Sequence, residues 1–363
     1  MTKLVPRPGI LEIAAYVGGE AGLPGHNRVM RLASNENPLG CSPKARAAYE
    51  ALAGELNRYP DGHATPVRRA IADRYGLDMA RIVCGAGSDE LLGLLMKAYC
   101  GLGDEIIHTR HGFAMYPIFA RGAGATPVVA DEPELKTDVD AILATVTTRT
   151  RAVFIANPNN PTSTYIDGAE LRRLRACLPD NVLLVIDGAY AEYADAPDYD
   201  DGIGLVDESG NAVVTRTFSK IHGLAAVRLG WAYCPPDVAD VLNRVRGPFN
   251  VTSAAIAAGA EAIRDEAFIA RSVAFNNEWR ERLTREVEAA GLEVIPGRAN
   301  FLLIRFPETA GRTAADALAF LNGRGIIPRR MAGYGLPDCL RISIGLEDEN
   351  RAVAEALTDF MRT

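Results

Sequence analysis

From residue 81 onward, short apolar runs alternate with longer mixed segments. Residues 81–84, 105–108, 126–130, 152–156, 182–186 and 212–215 are rich in Val and Ile and stop at polar or glycine-bearing turns, which is the pattern of strands. Val182-Leu183-Leu184-Val185-Ile186 has no polar position at all, as expected of a strand buried on both faces of a mostly parallel sheet. The segments between them, 89–100, 115–121, 138–144 and 168–177, read as helices, with Gly122 expected to end the second. Upstream, residues 1–33 form a mixed arm with a short helical piece at 10–16. Ser42-Pro43 opens a helix expected to run to about residue 56, and Thr65-Pro66 opens another that Gly76 ends.

After a further strand at 231–233 and a helix at 237–246, a long helical stretch at 254–290 leads away from the sheet. The remainder alternates differently and reads as a smaller α+β unit. The expected fold class is therefore α/β, a large domain with a mostly parallel central sheet flanked by helices plus a smaller α+β domain. The expected boundaries are an N-terminal arm at 1–45 contributing to the small domain, a large domain at 46–255, and a linking helix with the small domain at 256–363.

Three successive strands end near Asn160, Asp187 and Lys220. If they are parallel, all three groups reach the same sheet edge, where open α/β sheets place their ligands. Thr217 and Ser219 precede the lysine, and Arg228 lies eight residues after it. An amine with hydroxyls and a guanidinium nearby suits a carbonyl cofactor carrying a phosphate, the amine forming a Schiff base and the others holding the anion. Asp187 suits a partner for a protonated pyridine nitrogen, although an Asp after a strand also serves as a turn cap. Asn160 and Tyr190 are candidate donors to a ring oxygen, and Tyr190 is equally readable as packing. Gly87-Ser88 lies at a helix start, a natural anion site, but Asp89 and Glu90 bring negative charge there and suit a first turn with no ligand.

Composition narrows the classes. A formal charge of −7 and a pI of about 5.4 argue against a general nucleic-acid surface. No apolar run is long enough to span a bilayer, and the first residues lack the apolar core of a signal peptide, so the expected compartment is the cytoplasm. The six cysteines show no CxxC spacing and read as small buried thiols. The five histidines form no metal-ligand pattern, and no metal is expected.

Taken together, Ser34-Asn35-Glu36-Asn37-Pro38, Tyr59-Pro60-Asp61-Gly62, Gly85-Ala86-Gly87-Ser88-Asp89-Glu90, Asn157-Pro158-Asn159-Asn160-Pro161-Thr162, Asp187-Gly188-Ala189-Tyr190, Thr217-Phe218-Ser219-Lys220 with Arg228, and Leu340-Arg341-Ile342-Ser343 follow one another over nearly the whole chain. In this order and spacing the chain resembles the fold-type I pyridoxal-phosphate aminotransferases, and more closely the histidinol-phosphate aminotransferase family. The resemblance implies pyridoxal 5′-phosphate as cofactor. It makes Lys220 the Schiff-base lysine and proton carrier, Asp187 the partner of the pyridine nitrogen, Asn160 and Tyr190 the donors to the ring oxygen, and Phe113 the stacking ring. Gly87, Ser88, Asp89, Thr217, Ser219 and Arg228 would surround the phosphate. Tyr59 would reach the phosphate of the partner subunit, which implies a homodimer with shared active sites. Tyr16, Asn35, Arg329 and Arg341 would face the substrate, Arg341 taking a carboxylate and Arg329 a phosphate. The chain departs from the family at Ser163, where Gly is frequent, at Gly188, where many members have Glu, and at Phe113, where Tyr is common.

The implied reaction is exchange of an amino group between histidinol phosphate and 2-oxoglutarate, in histidine biosynthesis. Phenylalanine or tyrosine as the amino donor stays open at this stage, as does a decarboxylase such as one for threonine phosphate. A non-catalytic cofactor-binding regulator would need a nucleic-acid-binding segment that the acidic chain does not offer. The partners expected are small molecules, with no nucleic acid and no membrane.

Overall fold

The computed structural model describes residues 4–15, 18, 20, 22–26 and 28–362. The strands are β1 (Met30–Arg31), β2 (Ile82–Gly85), β3 (Glu105–Thr109), β4 (Thr126–Ala130), β5 (Thr150–Ala156), β6 (Leu183–Asp187), β7 (Ala212–Thr217), β8 (Gly230–Tyr233), β9 (Glu293–Ile295), β10 (Phe301–Arg305), β11 (Ile326–Ile327), β12 (Arg329–Arg330) and β13 (Cys339–Ser343). Among the described residues they form three sheets. The largest runs β2-β8-β7-β6-β5-β3-β4. Its neighbours pair in parallel from β7 through β4, and β8 alone runs against both β7 and β2. Strands β5, β6 and β7 are almost wholly buried, as their unbroken apolar runs require. Their shared direction delivers Asn160, Asp187 and Lys220 to one edge.

Helices cover both faces of this sheet. One core layer joins Ile107, Val153, Ile155, Leu184, Ile186 and Val214 to the helices Thr65–Tyr75, Gly168–Cys177 and Ser253–Arg264. The opposite layer joins Phe154, Val185 and Val213 to the helices Ser88–Tyr99, Met115–Ala123 and Pro236–Val245. A second sheet, β12-β13-β10-β9, is antiparallel and packs on the helices Glu266–Ala289, Ala314–Gly323 and Glu347–Arg362. The short β1 pairs in parallel with β11, so the segment just before Asn35 is tied to this second unit.

Several elements differ from the sequence expectation. The helix opened by Ser42 stops at Glu50 rather than near residue 56. Its last stretch contains Gly54, and Ala45 is its one buried residue, so neither propensity nor burial extends it. The helix after Phe113 runs past Gly122 to Ala123 and ends at Gly124, which takes the left-handed φ of 93°. The long helical stretch at 254–290 is two helices, Ser253–Arg264 and Glu266–Ala289. Asp265 interrupts it, accepting from the Phe268 N–H as cap of the second and from the Ser42 hydroxyl at 2.5 Å. Among the described residues of the N-terminal arm only Ile10–Glu12 forms a helical turn. Cys177 is exposed, unlike the buried thiol expected. No helix among the described residues is long and apolar enough to cross a membrane.

Candidate active site

At the carboxyl edge of the large sheet, where the second unit approaches, lies a cavity of about 200 Å³. Of the residues singled out in the sequence, Asn35, Ser88, Asp89, Phe113, Asn160, Asp187, Tyr190, Thr217, Ser219, Lys220, Arg228, Arg329 and Arg341 line it. Gly87 sits directly behind it, with φ 82°, as N-cap of the helix that starts at Ser88. A Cβ at Gly87 would stand 2.5 Å from Nη2 of Arg228, so glycine is needed both for the turn and for the guanidinium's approach. Tyr59 lies away from the cavity; it is 83% exposed and stacks on Phe249 with ring centroids 4.7 Å apart. Tyr16 lies outside the described residues.

Lys220 follows β7, on the loop that returns the chain to β8. Its Nζ donates to the backbone carbonyl of Ser34 at 3.0 Å and stands 5.8 Å from the centre of the Tyr190 ring. Burial, and then the positive charge of Arg341, hold its pKa down to about 8, so the neutral amine is far more populated near physiological pH than in an ordinary lysine. A neutral amine is the nucleophilic form.

Asp187 closes β6 and is buried. One carboxylate oxygen accepts from the Tyr116 hydroxyl at 3.1 Å, and the other accepts from the Ala189 N–H at 3.2 Å and the Thr215 hydroxyl at 3.4 Å. Burial still dominates and lifts its pKa to about 6, because these bonds offset the desolvation only in part. A positive charge brought against this carboxylate would favour its ionised form and lower its pKa again.

Asn160 and Arg341 meet across the cavity, the Arg341 guanidinium donating to the Asn160 Oδ1 and also to the Ala33 carbonyl at 2.7 Å. With its oxygen held by this donor, Asn160 has its NH₂ left as the group it can offer a ligand. Arg341 is on β13, opposite Arg329 of β12 in antiparallel register, so two guanidinium side chains reach the cavity from adjacent strands. Arg330, one residue on, is exposed. The alternation of a strand thus decides which arginine of the pair reaches the cavity.

At the other end, Arg228 donates to the Ser219 hydroxyl at 3.1 Å and pairs with Asp89 at 3.2 Å. The Thr217 hydroxyl accepts from the Ser219 N–H at 3.1 Å. Hydroxyls, a guanidinium and the first N–H groups of the helix Ser88–Tyr99 therefore converge, with Asp89 offsetting part of the positive charge. Such a set is chemically suited to a phosphate.

Sequence reasoning gave no role to Tyr116, Tyr334 or Ser343, the last quoted only within Leu340-Arg341-Ile342-Ser343. Tyr116 is in the first turn of the helix Met115–Ala123, where it reads as core, and only the fold brings it to Asp187. Tyr334 lines the cavity from a turn after β12. His111, just ahead of Phe113, contacts the Tyr334 carbonyl through Nδ1 at 2.7 Å and so ties the two units together beside the cavity.

Residues 27–357 match the family described as aminotransferase class I and II. The sequence is 56% identical over 362 residues to a histidinol-phosphate aminotransferase of Rhodospirillum centenum, covering the whole of both chains. It is 54% identical over 364 residues to one of Rhodospirillum rubrum, covering 99% of each. The structure is similar to that of a histidinol-phosphate aminotransferase from Sinorhizobium meliloti in complex with pyridoxal-5′-phosphate, with a TM-score of 0.90, 26% identity and 99% of each chain covered. With the lysine, carboxylate, amide and guanidinium groups gathered at one sheet edge, and with these relatives alike from end to end, the chain belongs to the class I and II aminotransferases.

Proposed function

We propose that the chain is a pyridoxal-phosphate-dependent aminotransferase that exchanges the amino group of histidinol phosphate with 2-oxoglutarate. The geometric observation that carries the substrate is the pair Arg329 and Arg341, register partners on β12 and β13, lining one cavity with Lys220. A donor such as glutamate brings a carboxylate, and histidinol phosphate brings a phosphate. Two guanidinium groups supply one anion site for each. Phenylalanine brings a carboxylate, as glutamate does, but no phosphate for Arg329.

The residues present fit the cofactor. Pyridoxal phosphate, when bound, supplies the electron sink that makes the substrate Cα–H acidic. Lys220 would give the amine that holds it covalently, and its Nζ would be the group placed to accept a proton from the substrate carbon. Asp187 would set its negative charge against the ring nitrogen. Asn160, with its Oδ1 taken by Arg341, and Tyr190 donate to the ring oxygen. Phe113, in the cavity wall, would cover one face of the ring. Ser88, Asp89, Thr217, Ser219 and Arg228, with the turn at Gly87, hold the phosphate.

The same reading makes the enzyme a homodimer. Tyr59 stands away from its own cavity, exposed on a surface that also shows Leu56 and Phe249. In the dimer proposed here it serves the site of the other subunit. The proposed compartment is the cytoplasm, in keeping with six cysteines of which none forms a disulfide.

The deciding measurement compares kcat/KM for histidinol phosphate and for phenylalanine with 2-oxoglutarate as acceptor. The expected result is a preference for histidinol phosphate of roughly a hundredfold or more. In Arg329→Gln that preference falls by about 10- to 100-fold, as for a lost hydrogen-bonded charge, while turnover of phenylalanine changes little. Equal turnover of the two donors by the wild type would remove the substrate assignment and leave only the reaction class.

A further inference from the structure

Asn35 sits in the cavity wall with a left-handed φ of 56° and 1% of its surface exposed. The two ends of its amide meet different partners. The backbone N–H donates to the Ser343 hydroxyl oxygen at 2.8 Å. That hydroxyl then gives its own proton to the Asn35 Oδ1 at 3.1 Å. The amide oxygen therefore faces Ser343, and Nδ2 faces the Tyr190 hydroxyl at 2.9 Å. An amide nitrogen can only donate, so the Tyr190 oxygen must accept. Its own proton is left to point elsewhere. Among the described residues no group accepts that proton, and the phenol lines the cavity. The Asn35 carbonyl is held as well, accepting from Asn300 Nδ2 at 3.0 Å, so the amide has little freedom to turn.

We propose that Asn35, anchored by Ser343, is a positioning residue that turns the Tyr190 hydroxyl proton toward the ring oxygen of the bound cofactor. The chain of donors runs in one direction, from Ser343 to Asn35 to Tyr190 to the ring. Ser343 lies two residues after Arg341 on β13, on the same face of the strand. One strand of the second unit thus reaches both candidate donors to the ring oxygen, Asn160 through Arg341 and Tyr190 through Asn35. Asn35 thus spends its amide oxygen on Ser343 and one of its two amide hydrogens on Tyr190, and it acts on the ring oxygen through that phenol.

A donor to the ring oxygen draws off negative charge that would otherwise hold the proton on Lys220 Nζ. Losing the donor should make that proton harder to remove, and the visible absorption band of the substrate-free holoenzyme should titrate at higher pH. The variants are Asn35→Gly, which tolerates the positive φ, Ser343→Ala, Ser343→Thr, Tyr190→Phe and the double variant Asn35→Gly/Tyr190→Phe. Each is loaded with pyridoxal phosphate and checked for thermal unfolding. Tyr190→Phe is expected to raise the midpoint by about one pH unit, the worth of a hydrogen bond to a charged group. Asn35→Gly and Ser343→Ala should move it in the same direction, Ser343→Thr should restore the wild-type value, and the double variant should match Tyr190→Phe alone. A midpoint unmoved in Asn35→Gly and Ser343→Ala overturns the proposal, and so does an Asn35→Gly shift that adds in full to that of Tyr190→Phe. The inference rests on the proposed cofactor but not on the proposed substrate. A wild type without the visible band is a failure of the cofactor reading, whereas yellow variants with unmoved midpoints are a failure of this one.

Discussion

Asp187 illustrates how a single residue is prepared for a ligand and what that preparation costs. Its carboxyl is held at about 6 in the folded chain, chiefly by burial, against an ordinary value of 3.8. The folded state without cofactor therefore keeps a proton there that the unfolded chain has released, and stability falls as pH rises from about 4 to about 6. The deficit above that window is roughly 3 kcal/mol, and a cation placed against the carboxylate would remove it. Asp187→Asn is predicted to make the cofactor-free protein more stable at pH 7 to 8 by an amount of that order, to flatten its stability between pH 4 and 6, and to abolish most transamination. Chemical denaturation of both cofactor-free proteins across that range checks it, and parallel curves would show that burial of this carboxylate carries no such penalty. Asp187 was legible in the sequence because an acid after an all-apolar strand stands out. Tyr116, which donates to it, was not, since a tyrosine in a mixed helix has no pattern of its own and gains its partner only by tertiary contact.

At the scale of elements, the parallel strands β5, β6 and β7 were readable from their runs of Val, Ile and Leu, and with them the sheet edge that gathers Asn160, Asp187 and Lys220. The antiparallel β8 was not readable, because strand direction leaves no mark on hydrophobic periodicity. Its placement matters to the site. Gly230, its first residue, packs so closely on the turn before the helix Ser88–Tyr99 that an added Cβ would overlap the Ser88 backbone nitrogen and stand 2.9 Å from its Cα. Backbone rather than flexible side chain is met there, so something rigid must move. Gly230→Ala is expected to cost about 1–3 kcal/mol, as overpacking does. It should also weaken cofactor binding by displacing the N–H groups proposed to hold the phosphate. Thermal unfolding and fluorescence titration with pyridoxal phosphate measure the two effects. Loss of stability with unaltered cofactor affinity would detach this turn from phosphate binding.

The whole molecule joins two units that meet at the cavity, and sequence could place the smaller one only as a change in the rhythm of strands and helices. Hydrophobic pattern does not say which surfaces of a chain face a second copy, so the dimer rests on the resemblance and on Tyr59. Its position permits a decisive arrangement of subunits. If Tyr59 served its own cavity, mixing Tyr59→Ala with Lys220→Ala chains would yield only impaired sites. If it serves the other subunit, each hybrid dimer has one site with neither change and one with both. The Lys220→Ala homodimer is expected to be inactive, and the Tyr59→Ala homodimer to be active only when pyridoxal phosphate is plentiful, since one phosphate contact is missing. At limiting cofactor, hybrids formed by co-expression and isolated through two affinity tags should regain about half the wild-type activity per dimer, one intact site of two. Hybrids no more active at limiting cofactor than the Tyr59→Ala homodimer would return Tyr59 to its own chain, and a monomeric wild type at assay concentration would remove the shared site altogether.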